Sequence, residues 1–194
     1  MILQSLGTMF VFMMVSSFTP GPGNILALNT MIRYGWREGK KLILGIICGY
    51  FTVQYICTFA VLGLNRYADS VFSILKYFGA AYLVWLAFHI LFVNNKEKEQ
   101  EKKASFFVGF GMQIVNIKIY FYITTLLTAY IMPIFLETWQ MIIIGLFVVG
   151  IGSTATMTWA LAGIKLQDIY TKHEKIINVI LTLLLLYCAI SIAK

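Results

Sequence analysis

Residues 2–32 contain no lysine, arginine, aspartate or glutamate, and a stretch of that length without charge admits few folds. A helix needs roughly 18–20 predominantly apolar residues to cross a bilayer. The pattern returns over Leu42–Asn65, Tyr77–Asn95, Thr138–Ile164 and Ile176–Ala193, and a sixth run, Ala104–Leu136, is interrupted only by Lys118. A soluble helical protein would set charged faces opposite its apolar ones, and no such faces accompany these runs. With 60% hydrophobic and 12% charged residues in 194, the chain reads as an all-α polytopic membrane protein with six transmembrane helices. No basic residue precedes the first run, so it reads as a retained span rather than a signal peptide.

Basic residues set the expected orientation. The first, third and fifth loops carry Arg33, Arg37, Lys40 and Lys41, then Lys96, Lys98, Lys102 and Lys103, then Lys165, Lys172 and Lys175, eleven in all. The second has Arg66 with Lys76 nearby, and the fourth has none. The positive-inside rule then puts the odd loops in the cytoplasm and both termini outside it. The net charge of +7 is accounted for by basic loops facing anionic lipid, with no nucleic acid required.

The mixed-charge stretch Asn94–Ala104 is too polar to bury and too short to be a domain, and it reads as a solvated cytoplasmic linker. It divides the chain into residues 1–93, 94–104 and 105–194, with three spans on each side. An odd number of spans makes the two halves enter the membrane from opposite sides, the arrangement of two inverted three-helix repeats common in secondary transporters.

An unbroken helix over 2–32 would be about 46 Å long, against a hydrocarbon core of roughly 30 Å. The run is interrupted by Thr19-Pro20-Gly21-Pro22-Gly23-Asn24. Its prolines lack an N–H and clash with the preceding turn, and its glycines permit an unwound backbone. The groups so freed must meet protein, water or a ligand, unless the stretch is a mere kink. The first span of the second half holds the other anomaly, Gln113, Asn116 and Lys118. A lysine at mid-span costs roughly 2.5–3.5 kcal/mol on insertion scales, and no Asp or Glu lies inside any apolar run. A ligand carboxylate is the natural partner; a lysine held neutral, or one bonded to the carbonyls freed at Pro20 and Pro22, is the alternative.

Further polar residues form helical rows, Tyr50–Gln54–Thr58 and Gly150–Thr154–Thr158, for which packing and interhelical hydrogen bonds are the default. Gly45 and Gly49 form a small-residue pair suited to close helix approach. His89 reads as interfacial. The three cysteines, Cys48, Cys57 and Cys188, lie inside apolar runs without metal-ligand spacing, and they read as packing residues. No cofactor, metal or enzymatic role is expected.

The stretch SFTPGPGNILALNTMIRYGWREG, residues 17–39, resembles the signature of the lysine exporter (LysE/RhtB) family of bacterial amino-acid exporters. The likeness runs almost the whole chain, and GAAYLVWLAFHI, FGMQIVNIKIYFY, TWALAG and LLLLYCAISI are similar to its cysteine and O-acetylserine exporter branch. The resemblance implies a six-span, proton-driven exporter of small neutral amino acids in the bacterial inner membrane, cysteine and O-acetylserine first, with homoserine or threonine as alternatives. Two positions depart from the family pattern. Gly23 stands where a second asparagine is usual, and Ile117 replaces the proline of an Asn-Pro-Lys motif. Without that proline, Asn116 and Lys118 on a regular helix would point about 200° apart. Either packing breaks the span, or only one of them lines the site.

These readings place the substrate where the first and fourth spans meet. Lys118 would hold its carboxylate, aided by helix N-termini, while backbone groups of Thr19, Pro20, Gly21, Pro22 and Gly23, with Asn24, Gln113 and Asn116, would hold the amino group and side chain. The expected partners are the amino acid, protons as coupling ion and membrane lipid, with a homodimer as an option. A transmembrane thiol oxidoreductase is the rival from another class, but it would need cysteines at matching positions of the two halves. A purely structural membrane protein would be indifferent to loss of Lys118.

Overall fold

The computed structural model describes residues 2–63, 81, 84–88, 91, 104–135 and 137–193. The regular structure of these residues is entirely helical. Helix α1 (Ile2–Phe18) stops where Pro20 cannot continue it, and α2 (Pro22–Gly63) restarts with a proline in its first turn, where the missing N–H costs nothing. Residues 33–41, expected as a loop, are helical apart from a bend in α2 at Gly35 (φ 64°, ψ −176°), a conformation open to glycine because it has no Cβ. Helices α3 (Phe106–Ile114) and α4 (Ile117–Thr125) follow, and α4 runs on through a π-helical stretch, Leu126–Ile131.

Helix α5 (Thr138–Lys165) opens with a reciprocal cap, in which the Glu137 side chain accepts from the backbone of the first turn and the Glu137 N–H donates to Gln140 Oε1 at 3.2 Å. Helix α6 (Gln167–Ala193) bends at His173.

By length and composition, α2 and α5 can each cross a membrane, and α3 with α4 and its π stretch forms a third candidate span, bent by 54°. Leu6–Phe18 of α1 and Lys175–Tyr187 of α6 are shorter apolar segments. Most of the expected third span, including His89, and residues 94–103 of the linker lie outside the described residues. Large apolar side chains such as Phe51, Phe107, Phe147 and Leu183 point outward, as suits a surface solvated by lipid rather than water.

The interior is layered. One apolar cluster packs Ile25, Leu28 and Met31 against Ile43, Ile46, Met112, Ala160 and Leu181. A second packs Met13 against Tyr50, Val53, Ile119, Ile123 and Val148. The change from one cluster to the other falls at both chain breaks, between Met13 and Ile25 and between Met112 and Ile119. A polar layer between two apolar ones is the result.

Glycines set the helix spacing. A Cβ on Gly45 would stand 2.0 Å from the Phe106 carbonyl oxygen, and one on Gly109 would stand 2.1 Å from that of Leu42. Main chain therefore rests on main chain along the α2–α3 seam, as expected of small residues at membrane helix interfaces.

Candidate functional site

The first break frees the last carbonyls of α1, and side chains from three elements take them up. Asn24 Nδ2 donates to Ser17 O at 2.9 Å and to Thr19 O at 3.3 Å. Trp159 Nε1, from α5, donates to Phe18 O at 3.1 Å. Lys118 Nζ, from α4, donates to Thr19 O at 3.0 Å. This is the bond to a freed carbonyl that the sequence left as one option for Lys118. The first backbone bond of α2 runs from Ile25 N to Gly21 O at 2.9 Å, so the N–H groups of Gly23 and Asn24 precede the helical ladder.

The second break needs no proline. Asn116 (φ −81°, ψ 85°) leaves helical geometry; its N–H donates to Gln113 O at 3.2 Å and its Nδ2 to Gln113 Oε1 at 2.8 Å. Asparagine competes with the helix for local hydrogen bonds, and Asn116 O accepts from Ile119 N at 2.9 Å to start α4. The resulting bend brings Asn116 and Lys118 to one cavity, removing the separation expected of a regular helix.

That cavity, of about 40 Å³, lies in the polar layer between the apolar clusters. It is polar and roomy enough to hold water. Of the residues expected to form a site, Gly21, Gly23, Asn24, Gln113, Asn116 and Lys118 line it; Thr19, Pro20 and Pro22 do not. Thr19 and Pro20 are exposed, and Pro22 is buried behind the lining. Gly21 leaves room for the Lys118 stem, 3.1 Å from where a Cβ would be, and Gly23 does the same for Gln113 Oε1 at 2.9 Å. The glycine that replaces the usual asparagine thus admits the carboxamide of the other break.

The lining also includes Ser16, Ser17, Tyr50, Ile119, Tyr122, Gly152 and Thr156. Of these, sequence reasoning noted only Tyr50, and then as a packing residue. Thr156 Oγ1 lies 3.4 Å from Asn24 Oδ1, tying α5 to the first break, and Gly152 makes space for the Tyr50 ring, whose Cζ lies 2.5 Å from a Cβ position there. The row singled out on α5 faces outward instead, with Thr154 bonded to Gly150 O and Thr158 to Thr154 O. Gln54 and Thr58, buried on α2, bond to each other at 3.2 Å. Cys48 and Cys57 share α2 and do not line the cavity, while the Cys188 side chain lies outside the described residues.

Two helices broken at facing positions around a shared polar cavity are a transporter-like arrangement, and the whole-chain comparison decides which kind. The family model of the LysE type translocator matches residues 14–194, taking in both breaks. The chain belongs to the LysE family. Curated relatives from Escherichia coli, Shigella flexneri and Shigella sonnei, each named cysteine/O-acetylserine efflux protein, are 32% identical to it over 188 residues, 96% of this chain and 96% of theirs. No solved structure matches it. For a LysE-family chain, the structure thus supplies a physical account of the signature residues: Asn24 and Lys118 both close the end of α1 from across the break.

Proposed function

We propose that this LysE-family protein is a secondary transporter that exports small neutral amino acids, cysteine and O-acetylserine, from the bacterial cytoplasm. The observation that carries the reading is the polar cavity between two broken helices, edged by Lys118 and the N-terminus of α2, in a chain whose relatives bear the name of cysteine/O-acetylserine efflux proteins. The cavity lining includes no carboxylate. A substrate carboxylate fits beside Lys118, whose ammonium has three donors, and beside the N–H groups of Gly23 and Asn24, at the positive end of α2. Asn24, Gln113 and Asn116 contribute the polar wall that orients the rest of the molecule.

The finer parts of the reading rest on the apolar runs and basic-loop count for spans and orientation, and on the family resemblance for the membrane and the coupling ion. Six spans form two inverted repeats in the inner membrane, with both termini periplasmic, protons drive export, and substrate is exposed alternately to the two sides. Inside-out vesicles containing the protein, given labelled cysteine, O-acetylserine, homoserine and threonine under an imposed pH gradient, test it. Accumulation of the first two, abolished by a protonophore, is expected. Accumulation of homoserine or threonine alone would reassign the substrate, and accumulation of no amino acid would end the exporter reading. Orientation is read separately by impermeant thiol labelling of single cysteines placed at positions 98 and 194; labelling of 98 but not 194 on intact cells would invert it.

A further inference from the structure

Five buried side-chain polar atoms among the described residues lack a hydrogen-bond partner, and four of them belong to residues lining this one cavity: Ser17 Oγ, Tyr50 OH, Asn116 Oδ1 and Tyr122 OH. Tyr50, Asn116 and Tyr122 are 5%, 3% and 7% exposed, so water outside the protein does not satisfy them. The Ser17, Tyr50 and Tyr122 hydroxyls adjoin one another within interaction range but short of full hydrogen-bonding geometry, and weak pairing among themselves leaves acceptor lone pairs open to a ligand. Buried polar groups are seldom left unpaired, because each costs on the order of 1–3 kcal/mol. Phenylalanine would fill the same space as either tyrosine without that cost. Four such atoms around one small cavity form a polar surface that a ligand completes by taking the place of cavity water.

Their chemistry selects its charge. All four are neutral oxygens able to accept; the three hydroxyls can donate as well, and Asn116 Oδ1, which can only accept, decides for a ligand group that donates. Neutral acceptors hold an ammonium without cancelling its charge. Other acceptors nearby are engaged, the carbonyls at the end of α1 by Asn24, Trp159 and Lys118, Gln113 Oε1 by Asn116 and Asn24 Oδ1 by Thr156. The donors of the site, Lys118 and the start of α2, belong to the carboxylate.

We propose that Ser17, Tyr50, Asn116 and Tyr122 form the subsite for the α-ammonium of the transported amino acid. The inference rests on the exporter reading and adds to it the residues that recognise the amino end. An alkali cation has the same requirement for neutral oxygens, so the test must separate the two cations.

The purified protein is used in lipid nanodiscs, with Tyr50→Phe, Tyr122→Phe and the double change, and with cysteine and its deamino counterpart 3-sulfanylpropanoate as probes. Each single change should weaken cysteine binding about tenfold, the double change more, and 3-sulfanylpropanoate binding should stay within about twofold. The variants should unfold at the same or a higher temperature, since they lose only an unpaired hydroxyl. Equal loss for both probes, or a lower unfolding temperature, would make the hydroxyls structural. If binding by the unaltered protein requires sodium, and the double variant loses that requirement while still discriminating the two probes, the subsite holds an alkali ion and the proposal fails. Unaltered protein that binds cysteine, beside variants that bind it as tightly, overturns the subsite alone. Unaltered protein that binds no amino acid overturns the exporter reading.

Discussion

The breaks at 19–21 and at 115–116 interrupt helices on opposite walls of one cavity, but they are closed by different means. At the first, Pro20 and Pro22 remove local hydrogen-bonding options, so the freed carbonyls are met by Asn24, Trp159 and Lys118. At the second, Asn116 turns back on Gln113 with both backbone and side chain, and the break closes on itself. A proline break therefore depends on the rest of the molecule, whereas an asparagine break is nearly self-sufficient. The difference matters because Lys118 belongs to one break and seals the other, so whatever draws Lys118 toward the cavity also acts on the end of α1.

The largest effect is expected from Lys118→Met. Removing the ammonium should reduce export at least about a hundredfold, the order of a lost charge-assisted contact to a carboxylate. Insertion should become easier, as a mid-span cation no longer has to be accommodated, and Thr19 O keeps its bond from Asn24. Lys118→Arg should retain part of the activity, because a planar fork is not a compact ammonium. Vesicle efflux measured beside the amount of folded protein in the membrane checks both; normal export by the methionine variant would confine Lys118 to capping.

A smaller effect compares the breaks directly. Asn24→Ala strips two bonds from the end of α1 and should cost about 1–2 kcal/mol of stability, whereas Asn116→Ala should cost under about 1 kcal/mol, since the Asn116 N–H still reaches Gln113 O. Equilibrium unfolding in mixed micelles reads the order, and the reverse order would refute the contrast between the two breaks. The smallest effect on export is expected from Ile117→Pro. Ile117 is the first residue of α4, a position whose φ suits proline, and Asn116, at ψ 85°, is already outside the helical region that a following proline disfavours. The change gives up the Ile117 N–H bond to Val115 O, 3.1 Å, and part of a fully buried side chain, so stability should fall by about 1–2 kcal/mol while export persists. A loss above about 3 kcal/mol would show that the backbone here differs from a proline break.

Much of this was legible in the sequence, for local reasons. Pro20 and Pro22 break a helix whatever surrounds them, and Lys118 stands out because charge is rare in a span. Gln113 and Asn116 were visible as polar residues within an apolar run. Ser17, Tyr122 and Thr156 were not, because hydroxyls are common in membrane helices and usually bond to their own backbone, as Thr154 and Thr158 do here. On α5 small and hydroxyl residues occupy both faces, so periodicity could not tell the inward pair Gly152 and Thr156 from the outward row two residues away. The bend at Gly35 was hidden for the opposite reason: the charged residues around it read as a loop, yet they are long-chained and good helix formers, and one glycine suffices to turn the chain.

The seam at Gly45 and Gly109 bears on how such a protein can move. Side-chain interfaces slide by exchanging rotamers, but here carbonyl oxygens sit where side chains would be, and there are no rotamers to exchange. Contacts of this kind have one register and separate only by lifting apart. Helix α2 lies before the charged linker and α3 after it, so the seam bolts together pieces of the two sequence halves. The boundary between moving bodies is then not the midpoint of the chain. An opening to the cavity would run along its other walls, where α1 and α5 meet α4 and where the contacts, Met13 with Ile123, Phe12 with Tyr122 and Lys118 with the end of α1, are made by side chains that can exchange rotamers.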